Sequence, residues 1–75
     1  MKKVKIGSVG LGRLGYEHAC NIANLIPGAE LTALCDVDEK RVKEVAAELG
    51  VPYTYSDVAE MVKNPELDAI VIVSP

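Results

Sequence analysis

Val9-Gly10-Leu11-Gly12-Arg13-Leu14-Gly15 sets three glycines in the spacing GxGxxG between two stretches of different period. Ahead of it, Val4 to Val9 is a run of strand length in which Gly7 and Ser8 keep the surface small enough for a helix to pack close. Behind it, Gly15, Ala19, Ile22 and Ile26 recur at spacings of four, three and four, which places them on one side of a helix running to about Pro27-Gly28. A strand therefore turns directly into a helix at the glycines. Gly10 permits the tight turn, Gly12 lets the backbone approach a pyrophosphate without a Cβ in the way, and Gly15 lets the helix lie on the strand. Free N–H groups and the positive end of the helix dipole then point at the phosphates.

The alternation continues to the end of the chain. Ala29 to Cys35 reads as a second strand, followed by a helix with Asp38 as N-cap, Val42, Val45, Ala46 and Leu49 inward, and Gly50 as its stop. Pro52 to Tyr55 is a short third strand, and a third helix starts at a Ser56 cap, buries Val58, Met61 and Val62, and stops before Asn64-Pro65. Asp68 to Val73 is the fourth strand, continuously apolar over Ala69-Ile70-Val71-Ile72-Val73, the pattern of a strand buried on both faces. Such alternation requires parallel strands joined by crossover helices. The expected fold class is α/β, a Rossmann-type parallel sheet of βαβαβαβ connectivity with strand order 3-2-1-4. Right-handed crossovers put the first two helices on one face and the third on the other.

At the end of the second strand stands Asp36, about 20 residues beyond the glycine motif, where an acidic residue accepts hydrogen bonds from the adenosine ribose hydroxyls. The bland alternative is a structural turn whose carboxylate only caps the next helix. A carboxylate close to a 2′-phosphate would be repelled by roughly 4 kcal/mol at an effective dielectric of about 20, so NAD is favoured over NADP. Arg41, on the second helix, is the residue to watch for a phosphate contact; its commoner places are near the adenine or in solvent. The candidate cofactor-binding residues are thus Gly10, Leu11, Gly12, Arg13, Leu14, Gly15, Asp36, Val37 and Arg41. A methyltransferase also has a glycine-rich loop and an acidic residue after its second strand, but GxGxxG opening directly into a helix favours a pyrophosphate ligand.

Composition narrows the remaining classes. Eight basic against eleven acidic residues give a net charge of -3, with no basic cluster beyond Lys2, Lys3 and Lys5, so there is no footprint for nucleic acid or an anionic membrane. No segment reaches the roughly 18 apolar residues of a membrane span, and the start does not read as a signal peptide, so the cytoplasm is the expected location. Cys20 and Cys35 are too far apart for a CxxC pair and read as inert thiols, and no metal site is expected. His18, the single imidazole, has no partner at metal-ligand spacing and is assigned a structural role; Tyr16, Tyr53 and Tyr55 read as packing residues.

Taken with its flanks, the chain resembles the N-terminal part of the Gfo/Idh/MocA oxidoreductases, and among them inositol 2-dehydrogenases. The resemblance runs over the whole length. It rests on Ile6 to Gly15, on His18, on Gly28-Ala29-Glu30-Leu31 with Asp36-Val37-Asp38, and on Leu67 to Pro75. It implies hydride transfer between a sugar or cyclitol hydroxyl carbon and nicotinamide, in which a lysine of a Glu-Lys-Pro motif helps move the hydroxyl proton. This sequence holds no Glu-Lys-Pro. The resemblance also implies that Ser74 and Pro75 line the nicotinamide side of the cofactor, and that the remaining catalytic groups belong to a second α/β domain.

The expectation is therefore a partial dinucleotide-binding domain over residues 1–75, without the catalytic second domain and without turnover of its own. A core of this size is marginal, since about 60% of the unfolded surface is buried at such a length. The fourth strand and the thinly covered second face should favour a homodimer or higher oligomer. The competing reading is a Rossmann segment that folds and self-associates without useful cofactor binding.

Overall fold

The computed structural model describes residues 3–73 and holds a four-stranded parallel sheet in the order β3-β2-β1-β4. The elements are β1 (Val4–Val9), α1 (Arg13–Asn24), β2 (Ala29–Cys35), α2 (Glu39–Leu49), β3 (Tyr53–Tyr55), α3 (Val58–Met61) and β4 (Ala69–Ile72). This is the expected fold class and strand order. The two faces carry separate cores. Ala19 and Ile22 of α1 and Val42, Val45 and Ala46 of α2 meet Leu31 and Leu34 of β2 on one face. Met61 of α3 meets Ala33 and Cys35 on the other, with Val9, Val58, Leu67 and Ile70 packed around them.

A register shift lets β2 serve both cores. Ile6 pairs with Leu31 but Gly7 with Ala33, so Thr32 is the additional residue on β2. Side chains alternate along a strand with period two, and one inserted residue reverses the alternation. Leu31 and Leu34, three apart, consequently share a face. Across the sheet Gly7 lies against Met61 and Leu67, whose side-chain atoms would be 3.0–3.2 Å from a Cβ at that position. The absent side chain is what brings α3 and the following loop onto the sheet.

Several expected boundaries move. α1 ends at Asn24, before Ile26, which is half exposed and gives its carbonyl to the Ala29 N–H of the ensuing turn. The cause is Pro27, which disfavours helical geometry at the residue before it. The cap of α3 is Asp57, not Ser56: its Oδ1 accepts the Ala59 N–H at 2.9 Å. α3 is a single turn, so Met61 is fully buried while Val62, expected inside, is 57% exposed. The α2 boundaries hold, with Asp38 accepting the Arg41 N–H and Gly50 in the left-handed region at φ 70°.

β4 is the larger correction. It is the most apolar strand in sequence, yet its ends Ala69 and Ile72 are exposed and only Ile70 and Val71 are half buried. The strand buried on both faces is β2, where every residue from Leu31 to Cys35 is inside. Position explains this: β2 lies under α1, α2 and α3, whereas β4 is the edge of the described sheet and one helical turn covers little of its second face.

At the opposite end from the glycine motif, Glu66 ties the loop before β4 to the sheet. Its carboxylate accepts the Tyr53 hydroxyl and lies 3.4 Å from Lys5 Nζ, while Asp68 accepts the Lys5 N–H at 2.8 Å. The hydrogen bond from Tyr53, then Lys5, holds the Glu66 carboxyl below its ordinary value. A depressed carboxylate stabilises the fold above its unfolded pKa and loses that contribution as pH falls through the folded value. Urea denaturation from about pH 6 to about pH 3 should therefore show a smaller loss on acidification in Glu66→Gln than in the parent chain. Equal losses would show that this tie carries no proton linkage.

Candidate functional site

The carboxyl ends of the strands open into a cleft of about 760 Å³. Every residue from Val9 to Gly15 lines it, joined by Cys35, Asp36 and Val37 after β2, Ser56, Asp57 and Val58 after β3, and Val73 after β4. The sequence motif and Asp36 are thus brought together on one concavity. Its volume lies in the range of sites for small molecules and cofactors.

The three glycines have different reasons to be glycine. Gly10 has φ +99°, and a Cβ there would collide with the Val73 carbonyl oxygen. At Gly15 a Cβ would collide with the carbonyl of Gly10, so the missing side chain lets α1 begin directly over the loop. Gly12 is unlike both. It has an extended backbone, is exposed, and a Cβ would meet nothing within 4 Å. The chain's own packing gives no reason for glycine at position 12, a residue that lines the cleft.

Gly12 is also the N-cap of α1 and provides no side-chain cap, and no acidic residue stands in the first turn. The first N–H groups of a helix lack intrahelical acceptors and carry the positive end of its dipole. The uncapped start of a 12-residue helix, lining a cleft beside the Arg13 side chain, suits an anion. Asp36 stands across the loop, its carboxylate accepting the Leu11 N–H at 2.7 Å and the Asp38 N–H at 2.9 Å. An ionised carboxylate has about four acceptor sites, so two remain.

Arg41 is not among the cleft-lining residues. Its guanidinium lies 5.0 Å from the centre of the Tyr16 ring, and the Tyr16 hydroxyl donates to Glu48. This raises the Tyr16 hydroxyl pKa, through the Glu48 hydrogen bond first and Cys20 next. Cation and ring thereby fasten α2 to α1. His18 is exposed on α1. Ser74 and Pro75 lie outside the described residues.

Val9, Cys35, Ser56, Asp57, Val58 and Val73 are not among the cofactor-binding residues expected from the sequence, although a signal for them exists. Each ends or follows a strand, and ligands of open α/β sheets bind at the carboxyl ends. The Cys35 thiol is pushed up, chiefly by burial and then by the Asp36 and Asp57 charges, so it stays protonated and unreactive. Among the described residues no group of three or more His, Cys, Asp or Glu is placed to hold a metal.

Comparison with known proteins places this geometry in a family. The Gfo/Idh/MocA model, an oxidoreductase family with an NAD-binding Rossmann fold, matches residues 4–75. The scyllo-inositol 2-dehydrogenase (NAD(+)) of Bacillus subtilis is 41% identical over 73 residues, 97% of this chain and 21% of that protein. The myo-inositol 2-dehydrogenase of Thermotoga maritima is 41% identical over 71 residues, 95% of this chain and 21% of its own length. The crystal structure of scyllo-inositol dehydrogenase from Lactobacillus casei with bound NAD(H) and scyllo-inositol superposes with a TM-score of 0.92 at 46% identity, covering 99% of this chain and 22% of that one. The chain thus spans about a fifth of the length of these relatives.

Gly12 and Gly15 are separated by substitution. Gly12→Ala should change stability by less than about 1 kcal/mol, because its backbone suits alanine and the added methyl meets open space. Gly15→Ala should cost about 3 kcal/mol or more, because the methyl meets backbone that cannot move aside. Chemical denaturation of the two variants checks this, and equal costs would remove the distinction drawn between the glycines.

Proposed function

The chain belongs to the Gfo/Idh/MocA oxidoreductases, and we propose that it forms the dinucleotide-binding part of an NAD-dependent dehydrogenase acting on a sugar or cyclitol hydroxyl, as the inositol dehydrogenases it resembles do. The observation that carries the reading is Gly12, a glycine without a packing purpose at an uncapped helix start that lines the cleft. The N–H groups from Gly12 to Gly15, with the Arg13 side chain, take the pyrophosphate, since those of Gly10 and Leu11 are donated to Cys35 and Asp36. Leu11 and Leu14 shape the loop's surface, and Asp36 accepts the adenosine ribose hydroxyls at its two open positions. Val37, 90% exposed at the cleft, offers the adenine an apolar contact. Arg41, fastened to Tyr16, borders the adenosine side through its helix instead of meeting a phosphate. Ser74 and Pro75 belong to the nicotinamide side.

NAD is the cofactor and NADP the weaker ligand, since the Asp36 carboxylate repels a 2′-phosphate. When bound, the nicotinamide supplies the hydride acceptor. The groups that move the hydroxyl proton and hold the substrate lie in parts of the enzyme beyond these residues, consistent with relatives about five times as long, of which the chain covers 21%. The 75 residues are accordingly part of a cofactor domain, working in the cytoplasm. Among the described residues no helix is long and apolar enough to cross a membrane.

Calorimetric titration with NAD, NADP and ADP-ribose tests the reading. NAD and ADP-ribose should bind saturably, NADP at least about tenfold more weakly, which corresponds to about 1.4 kcal/mol, and Gly12→Ala should bind NAD about tenfold more weakly than the parent chain. No polyol oxidation should accompany binding. Absence of binding by the folded chain would overturn the proposal in favour of a Rossmann segment that assembles without a cofactor.

Self-association is the second part of the proposal. β4 is an edge with open backbone groups, and Ile72 and Val62, 66% and 57% exposed, leave apolar surface around the thinly covered face. The 75-residue chain should form a homodimer or higher oligomer through this region. Light scattering at high micromolar concentration is expected to give at least a dimeric mass; a monomeric mass would refute it.

A further inference from the structure

The β1–β2 ladder ends at the glycine loop. Val9 pairs with Cys35, and the next N–H, that of Gly10, donates to the Cys35 carbonyl at 2.8 Å. Beyond that point β2 has no further strand residue to offer, because the chain turns toward α2 at Asp36. Gly10 turns the chain at φ +99°, and the Leu11 N–H that this turn presents to β2 is met by the Asp36 side chain at 2.7 Å. The other carboxylate oxygen accepts the Asp38 N–H at 2.9 Å, fixing the same side chain to the start of α2. The Asp36 N–H in turn donates to the Tyr55 carbonyl of β3 at 3.1 Å, so the residue is held from both sides.

We infer that Asp36 is a positioning residue for the glycine loop, tying the turn after β1 to the end of β2 through its side chain and holding Leu11, and with it the adjoining Gly12, in place before any ligand arrives. Leu11 is buried at 3% exposure, so its N–H cannot readily turn to water if the carboxylate is removed. A charged acceptor makes a shorter and stronger bond to an N–H than a neutral one does. The role is separate from hydroxyl recognition, although its relevance to cofactor binding rests on the function proposed above. Replacing Asp36 would then weaken pyrophosphate binding as well as ribose binding, and exchanging cofactor preference at this position alone would loosen the loop.

Two measurements on the 75-residue chain test the inference, with Asp36→Ala and the more conservative Asp36→Asn as variants. In the ligand-free protein, amide hydrogen exchange by nuclear magnetic resonance should show the Leu11 N–H exchanging at least tenfold faster in Asp36→Ala, with Leu34 in the middle of β2 unchanged. Asp36→Asn, which keeps one carbonyl oxygen, should restore part of the protection and keeps the test open if the alanine variant does not fold. Equal Leu11 exchange in parent and variants would overturn the inference. Titration with the NAD analogue lacking both adenosine ribose hydroxyls should then give about tenfold weaker binding to Asp36→Ala than to the parent. Equal affinities for that analogue would reduce Asp36 to a hydroxyl acceptor and also overturn it. Failure of the parent to bind NAD, with Leu11 protected in an Asp36-dependent way, would overturn the cofactor reading and leave the positioning role standing.

Discussion

The contact between Gly15 and the carbonyl of Gly10 is the constraint on which the rest of the arrangement depends. It removes the side chain from the point where α1 crosses the end of β1, so the helix starts at the loop instead of standing off from it. That closeness sets Ala19 and Ile22 onto Leu31 and Leu34 and so fixes the larger core. It also leaves the uncapped first turn of α1 facing the strand ends, where the loop, the end of β2 and the start of α3 surround a common cleft. Fold and site are consequences of one close approach.

The sheet is unevenly supported, and the unevenness follows from connectivity. Two crossover helices of 12 and 11 residues cover one face, while α3 covers the other with four. β2, beneath both layers, tolerates the modest sequence Leu-Thr-Ala-Leu-Cys because its neighbours enclose it on every side. β4 is far more apolar and far less enclosed. Hydrophobicity of a strand reports what surface it is suited to bury, and exposure reports what covers it; in this chain the two diverge at β4.

What was legible in the sequence is whatever a local pattern fixes. GxGxxG with Asp36 about 20 residues on located the loop, the strand-to-helix turn and the acidic residue; Asp38 and Gly50 marked both ends of α2 because capping is a property of one or two residues. Alternation of strand and helix gave the order 3-2-1-4, since handedness leaves few alternatives. Competing local signals were harder to order. Ser56 and Asp57 are both capable caps, and only the fold shows that the carboxylate takes the Ala59 N–H while Ser56 lines the cleft. The insertion at Thr32 left no trace in a pattern because it is defined by pairing with β1. For Arg41 the sequence leaves a place near the adenine, in solvent or, less often, at a phosphate, and its position over Tyr16 is not legible there because it depends on how α1 and α2 meet.

Asp36 shows why a motif residue can carry more than the role its motif suggests. The spacing rule accounts for a carboxylate at this position by the ribose it would meet, and that account would be satisfied by a side chain pointing freely into the cleft. The observed carboxylate instead spends two of its acceptor positions on backbone N–H groups, one in the glycine loop and one at the start of α2. Successive N–H groups of an extended strand point alternately to its two neighbours, so Leu11 is not a regular rung toward β2; the turn at Gly10, φ +99°, presents its buried N–H to the end of β2, past the last strand residue, where it still needs an acceptor. The carboxylate closes that gap while still lining the cleft. The hold on the loop and the ligand contact proposed for Asp36 therefore run through a single side chain, and a change made for one purpose alters the other.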